Sequence, residues 1–150
     1  MNINYREKII ALWIVFLLGI LFHTQLSLMP LFHGLNVIES QKATSINDIG
    51  GIMWLMLGFF VLPILAIIAT AFTNSRRYRV THFGLTVFYS VMNLLHLIAD
   101  LLVKPILWYQ IALMVLLFLI GLVLNFVAFQ WMRKSFRDIN SPQQLTSSHS

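Results

Sequence analysis

Six polar side chains recur every three or four residues within one long apolar stretch of the chain. They are His82, Thr86, Tyr89, Asn93, His96 and Asp100. At about 100° per residue these side chains fall on one face of a helix. Ionisable groups at membrane depth are costly unless they face a bundle interior or a water-filled cavity. His96 and Asp100 are therefore the first candidates for chemistry, because an imidazole ligates metals or moves protons and a carboxylate can orient it.

A second imidazole is expected at the same depth as His96. His23 precedes Pro30, the expected end of its helix, by seven residues, and His96 precedes Lys104 by eight. At about 1.5 Å per residue both imidazoles lie roughly 10–12 Å below the same membrane surface. The spacing predicts that two helices present histidines to each other at one level.

Neighbouring residues would complete a polar pocket around the two histidines. Ser27 and Asn93 each lie about one helical turn from a histidine, and His33 lies in the loop above the same surface. We predict that the two histidines bind haem or a transition-metal ion, with Asp100 or His33 as a third metal ligand. Three methionines near this surface would allow a softer copper site: Met29, Met53 and Met56.

Three other functions agree with the same residues. A series of His, Asn and Asp could carry protons or ions, with His82 extending the route inward. The polar stripe could instead only hydrogen-bond neighbouring helices, at about 0.6 kcal/mol for each bond. The chain would then be a non-catalytic accessory subunit of a larger membrane complex, or it would assemble with copies of itself into a homo-oligomer. A membrane enzyme acting on lipid or quinone is the fourth reading, although Gly-x-Ser-x-Gly, His-Glu-x-x-His and clusters of acids are absent.

Composition makes the bilayer the solvent of the elements that carry these residues. Hydrophobic residues make up 59% of the chain and charged residues 10%, with a mean hydropathy of +0.82. A helix needs about 20 apolar residues to cross a hydrocarbon core of about 30 Å. Four stretches qualify: 9–29, 49–73, 80–103 and 105–132. They predict an all-α integral membrane protein, an antiparallel four-helix bundle within residues 1–135, followed by a polar cytoplasmic tail at 136–150.

Positive charges predict the orientation of these helices. Eight of the ten Lys and Arg residues lie at the N-terminus, between the second and third stretches, or at the C-terminal end. Positive residues in short connections stay in the cytoplasm. Both termini should therefore be inside, with the chain in the cell (inner) membrane. The net charge of +5 then reflects topology and attraction to anionic lipid, and no nucleic-acid partner is expected.

Aromatic residues and cysteine usage add two expectations. The four tryptophans should form belts at the membrane surfaces, Trp13 and Trp131 at the inner one and Trp54 and Trp108 at the outer one. The chain has no Cys, which excludes disulfides, thiolate metal sites and thioether-attached haem.

Proline and glycine predict local features of the helices. Pro30 should end or kink the first helix, Pro63 should bend the second, and Pro105 should occupy the first position of the fourth. Gly58 should permit close approach of a neighbouring helix, and Gly19 and Gly121 could serve packing within or between bundles.

Overall fold

A computed structural model describes residues 4–35, 45–102, 104 and 106–140, with side chains as far as Lys134. Within these residues there is no strand, and the helices are α1 (Tyr5–Phe32), α2 (Ile46–Phe72), α3 (Arg76–Leu102) and α4 (Trp108–Asn140). The all-helical prediction is confirmed. All four helices are long and apolar enough to cross a membrane, which indicates a multi-pass membrane protein.

Helix ends differ from the predicted ones by a few residues. α1 continues past Pro30 to Phe32, so this proline lies in the last turn and does not end the helix. α4 begins at Trp108, and Pro105 lies outside the described residues. α4 extends to Asn140, past the predicted end of its apolar stretch, since no proline or glycine interrupts residues 133–140.

Contacts between helix ends define two ends of the molecule. Near the start of α1, Arg6 donates to the carbonyl oxygens of Thr70, at 2.8 Å, and of Ala71. These are among the last carbonyls of α2, which have no partner within their own helix. We call this the basic end. At the opposite end, the loop end, Gln110 of α4 donates to the Ser27 hydroxyl of α1 at 2.9 Å.

Pro63 lies inside α2 and is compensated by a neighbouring helix. A proline has no N–H to give to the carbonyl four residues earlier, which here belongs to Phe59. The Tyr89 hydroxyl of α3 donates to that oxygen at 2.6 Å. The centroids of the Tyr89 and Phe59 rings lie 4.6 Å apart. The carbonyl that proline leaves free therefore joins α2 to α3.

Small residues bring some of the helices together. α4 packs along α3 and α1, and α1 packs on α2. A Cβ atom added at Gly19 would lie 2.3 Å from the Leu117 side chain, and one added at Gly121 would lie 2.9 Å from the Ser90 hydroxyl. Gly19 therefore lets α1 pack closely against α4, and Gly121 lets α4 pack closely against α3. Gly58 has no such neighbour within 4 Å, so the predicted close approach there is not made by the described part of this chain.

Two of the four tryptophans, Trp13 and Trp131, are buried in the core, so their rings pack inside the protein instead of facing lipid. Trp13 is fully buried and Trp131 is 3% exposed, whereas Trp54 is 74% and Trp108 69% exposed. Trp13 can be buried because its indole N–H finds an acceptor inside the protein and need not reach water. The core cluster is Ile9, Trp13, Phe16, Tyr89, Met114, Leu117, Leu124, Val127 and Trp131.

Candidate metal site

The predicted polar stripe of α3 faces the other helices along most of its length. Its first four members are buried: His82, Thr86, Tyr89 and Asn93. Towards the loop end the stripe becomes accessible, since the Asp100 side chain is 21% and the His96 side chain 56% exposed. The stripe is thus closed at the basic end and open at the loop end.

The structure brings His23, His96 and Asp100 together at this open part. His23 Nε2 lies 3.3 Å from Asp100 Oδ2, and His96 Nε2 lies 3.7 Å from Asp100 Oδ1. The two imidazole rings meet edge to face, with centroids 5.5 Å apart at 76°. One ligand atom from each residue lies within 4.8 Å of the other two. Three side chains of types that ligate metals therefore surround one point.

Two atoms of this group lack hydrogen bonds. His23 Nε2 and Asp100 Oδ2 are buried, and neither has a hydrogen-bond partner among the described residues. They lie 3.3 Å from each other, which is within ion-pair distance when the imidazole is protonated. Buried polar atoms in native proteins are nearly always satisfied. An imidazole nitrogen and a carboxylate oxygen left in this way are the atoms that a divalent transition-metal ion binds.

The other predicted pocket residues are not members of this ligand group. Ser27 donates to the backbone oxygen of His23 at 3.0 Å and accepts from Gln110, so its hydroxyl is already satisfied. His33 is exposed just beyond the end of α1 and is not a member of the group. Asn93 is 5% exposed, and its Oδ1 has no partner in the described part of the chain.

A cavity of about 250 Å³ adjoins the metal-ligand group. Both histidines and Asn93 line it, and its walls are otherwise largely apolar. Three methionines also line the cavity: Met56, Met92 and Met114. Of these three only Met56 is among the methionines predicted from the sequence, because nearness to the membrane surface does not determine which helix faces meet. The other two predicted methionines, Met29 and Met53, are about half exposed.

A second polar cluster, which was not predicted from the sequence, lies at the basic end. Trp13 Nε1 donates to His82 Nε2 at 3.0 Å. The Tyr78 hydroxyl donates to the Ala66 carbonyl oxygen at 2.8 Å and shares a hydrogen bond of 2.9 Å with Thr70. The available signal was the spacing of Arg79 and His82, which places a cation on the same helix face as the first member of the polar stripe.

None of the family models, curated proteins or solved structures compared with this chain matches it. Fold and site define its class: a multi-pass membrane protein with a His/His/Asp group that can hold a metal ion.

Proposed function

We propose that this chain is a metal-binding membrane protein of a redox or metal-handling system. Its ligands are His23 Nε2, His96 Nε2 and the Asp100 carboxylate. The supporting observation is the spacing of these atoms. Bonds of about 2.0–2.1 Å place the ligand atoms of a tetrahedral ion about 3.4 Å apart. The nitrogen-to-oxygen separations are 3.3 Å to Asp100 Oδ2 and 3.7 Å to Asp100 Oδ1, close to that value, and one ligand atom from each residue lies within 4.8 Å of the other two.

A single ion suits this arrangement better than haem does. Two axial imidazoles bind haem iron from opposite faces of the porphyrin, which must pass between them. Here a carboxylate oxygen of Asp100 lies within 4 Å of each imidazole, and the rings meet edge to face. Two imidazole nitrogens and a carboxylate suit a divalent ion such as Zn²⁺ or Cu²⁺, and copper(I) would be favoured only if a methionine thioether of the adjoining cavity also bound the ion.

We also propose that the helices form an antiparallel bundle with both termini inside the cell. The distribution of Lys and Arg supports this orientation. The contact of Arg6 with the end of α2, and that of Ser27 with the start of α4, support the antiparallel arrangement. The metal site would then lie in the outer half of the membrane.

Replacement of both ligating histidines tests the metal proposal. Wild-type protein, His23→Ala/His96→Ala and His33→Ala are purified in mild detergent, and their metal content and absorption spectrum are measured. His33→Ala is the matched control, since His33 is exposed and lies outside the group. We expect close to one equivalent of metal in the wild type and the control, and loss of it in the double variant. A Soret band would identify haem instead of a single ion.

Titration of the metal-free protein with Zn²⁺ and with Cu⁺, against a competing chelator, then gives the preferred metal. Equal metal content in the wild type and the double variant would contradict the ligand assignment.

A non-catalytic accessory subunit is the second candidate. It is favoured by the many polar contacts that join helices without forming a ligand group, such as Asn125 to Ser90 at 2.9 Å and Tyr89 to Phe59. In that case the wild type carries no metal, and the double variant changes only the recovery of co-purifying membrane proteins.

A further inference from the structure

Arg79 and His82 form a buried pair at the basic end, on α3 but far along it from the metal group. Arg79 is 9% exposed and His82 is 1% exposed. Both contact the Trp131 ring. The guanidinium carbon of Arg79 lies 5.1 Å from the ring centroid, and the imidazole centroid of His82 lies 5.8 Å from it. Because they are three residues apart on a helix, they lie on one face.

Each member of the pair has a buried nitrogen without a hydrogen-bond partner in the described residues, Arg79 Nε and His82 Nδ1. The contact with Trp13 assigns the tautomer of the histidine. An indole nitrogen can only donate, and Trp13 Nε1 donates to His82 Nε2 at 3.0 Å. Neutral His82 therefore carries its proton on Nδ1. Both unpartnered nitrogens are N–H donors, and what is missing is an acceptor.

Among the described side chains, none supplies a counterion for Arg79. Its guanidinium donates to two neutral acceptors, the Trp131 carbonyl oxygen at 3.1 Å and Asn74 Oδ1 at 2.7 Å. No carboxylate among the described side chains lies within ion-pair distance of it. Arg79 lies in the first turn of α3, where the helix dipole favours an anion. Exposed Arg77 and Arg133 add positive charge at the same end.

We propose that Arg79 and His82 bind an oxyanion of phosphate chemistry at the basic end. Its oxygens accept hydrogen bonds from Arg79 Nε and His82 Nδ1, and Trp13 holds the imidazole in the donating tautomer. Arginine is suited to phosphate because its guanidinium offers several donors in one plane. Two sources supply this chemistry at the end of a membrane span: the headgroup of an anionic phospholipid and free phosphate. The site shares no residue with the proposed metal site.

Lipid retention measures this binding in the full-length protein. The protein is reconstituted in phosphatidylcholine nanodiscs with or without phosphatidylglycerol, released in mild detergent, and examined by native mass spectrometry. Arg79→Gln is compared with Arg77→Gln, which removes the same charge from an exposed position in the same turn. We expect the wild type and Arg77→Gln to retain phosphatidylglycerol in preference to phosphatidylcholine. Arg79→Gln should bind it about tenfold more weakly, as expected for loss of a charge-assisted hydrogen bond.

A second arm separates the two sources of phosphate. Inorganic phosphate is titrated into wild-type protein in pure phosphatidylcholine nanodiscs, and tryptophan fluorescence is followed, since Trp13 and Trp131 contact the pair. A saturable change that Arg79→Gln lacks supports a site for free phosphate. Retention of phosphatidylglycerol without such a change supports a lipid headgroup site.

Two results would overturn the proposal. One is a wild type that neither prefers phosphatidylglycerol nor responds to inorganic phosphate, which would mean that only water satisfies the two donors. The other is equal retention of phosphatidylglycerol by the wild type and Arg79→Gln together with equal responses of the two proteins to inorganic phosphate. If Arg79→Gln does not fold, Arg79→Lys replaces it. Lysine keeps the charge but lacks the Nε donor, so its affinity should fall below that of Arg77→Lys.

Discussion

Trp13 and His82 show how single side chains are satisfied inside this molecule. The indole can only donate and the neutral imidazole both donates and accepts, so the pair is satisfied in one arrangement of protons. The bond joins α1 to α3 between two residues that are almost completely buried. If either side chain is lost, the polar atom of the other is left buried, and neither water nor another protein group takes the place of the lost partner.

We predict that Trp13→Phe lowers the free energy of unfolding by about 1–3 kcal/mol, because His82 Nε2 loses its donor and the core loses volume. Unfolding in mixed detergent micelles measures the change. The control is Trp54→Phe, the same substitution at a position that is 74% exposed, with an expected change within about 0.5 kcal/mol. Similar losses in both variants would contradict the role given to the hydrogen bond.

For single residues, the sequence predicts how deep a side chain lies along its helix, but it does not predict which way the helix is rotated. Counting residues from the helix ends placed His23 and His96 at one level, and the structure brings them together with Asp100. The burial of Trp13 could not be predicted, because α1 carries apolar side chains on all its faces. No polar face therefore indicates which side of α1 is turned inward.

The hydrogen bond between Tyr89 and the Phe59 carbonyl oxygen acts at the scale of helices. Proline in α2 frees the Phe59 carbonyl oxygen, and α3 supplies a hydroxyl donor for it. A carbonyl oxygen that one helix leaves free is thus satisfied by a donor from a neighbouring helix, as is common in membrane proteins.

A double-mutant cycle tests this coupling. Tyr89→Phe should lower the free energy of unfolding by about 1–2 kcal/mol, since the Phe59 oxygen loses its donor. Pro63→Ala restores a backbone N–H that can reach the same oxygen. In the Pro63→Ala protein, the loss in free energy of unfolding caused by Tyr89→Phe should be smaller by about 0.5–1 kcal/mol than in the wild type. Unfolding of the four proteins in the same micelles gives the coupling, and strictly additive costs would show that the two groups do not share the oxygen.

The number of helices could be predicted from the sequence, but their ends and contacting faces could not. Apolar length requires four spans whatever their neighbours are. The helix ends depend on turns and caps that hydropathy does not describe, as at Pro30, where α1 continues for two more residues. The approach at Gly19 depends on Leu117, a residue of α4 far away in the sequence.

Orientation concerns the whole molecule and can be tested because the chain has no Cys. Lys104→Cys and Lys134→Cys each place one thiol at an exposed position, the first at the loop end and the second beyond Trp131 at the basic end. With both termini inside, a membrane-impermeant maleimide should label Lys104→Cys in intact cells. It should label Lys134→Cys only after permeabilisation, and the reverse pattern would show the opposite orientation.

The polar contacts of α3 have a consequence for how the helices choose one arrangement. Lipid is as apolar as leucine, so burial of apolar side chains cannot select one rotation of a helix in a bilayer. Along α3, Arg79 bonds α4, His82 bonds α1, Tyr89 bonds α2 and Ser90 bonds α4. A slip of α3 by one turn, about 5.4 Å, would break all four bonds at once. A chain with an apolar α3 would still insert, but it would be free to exchange among several packings.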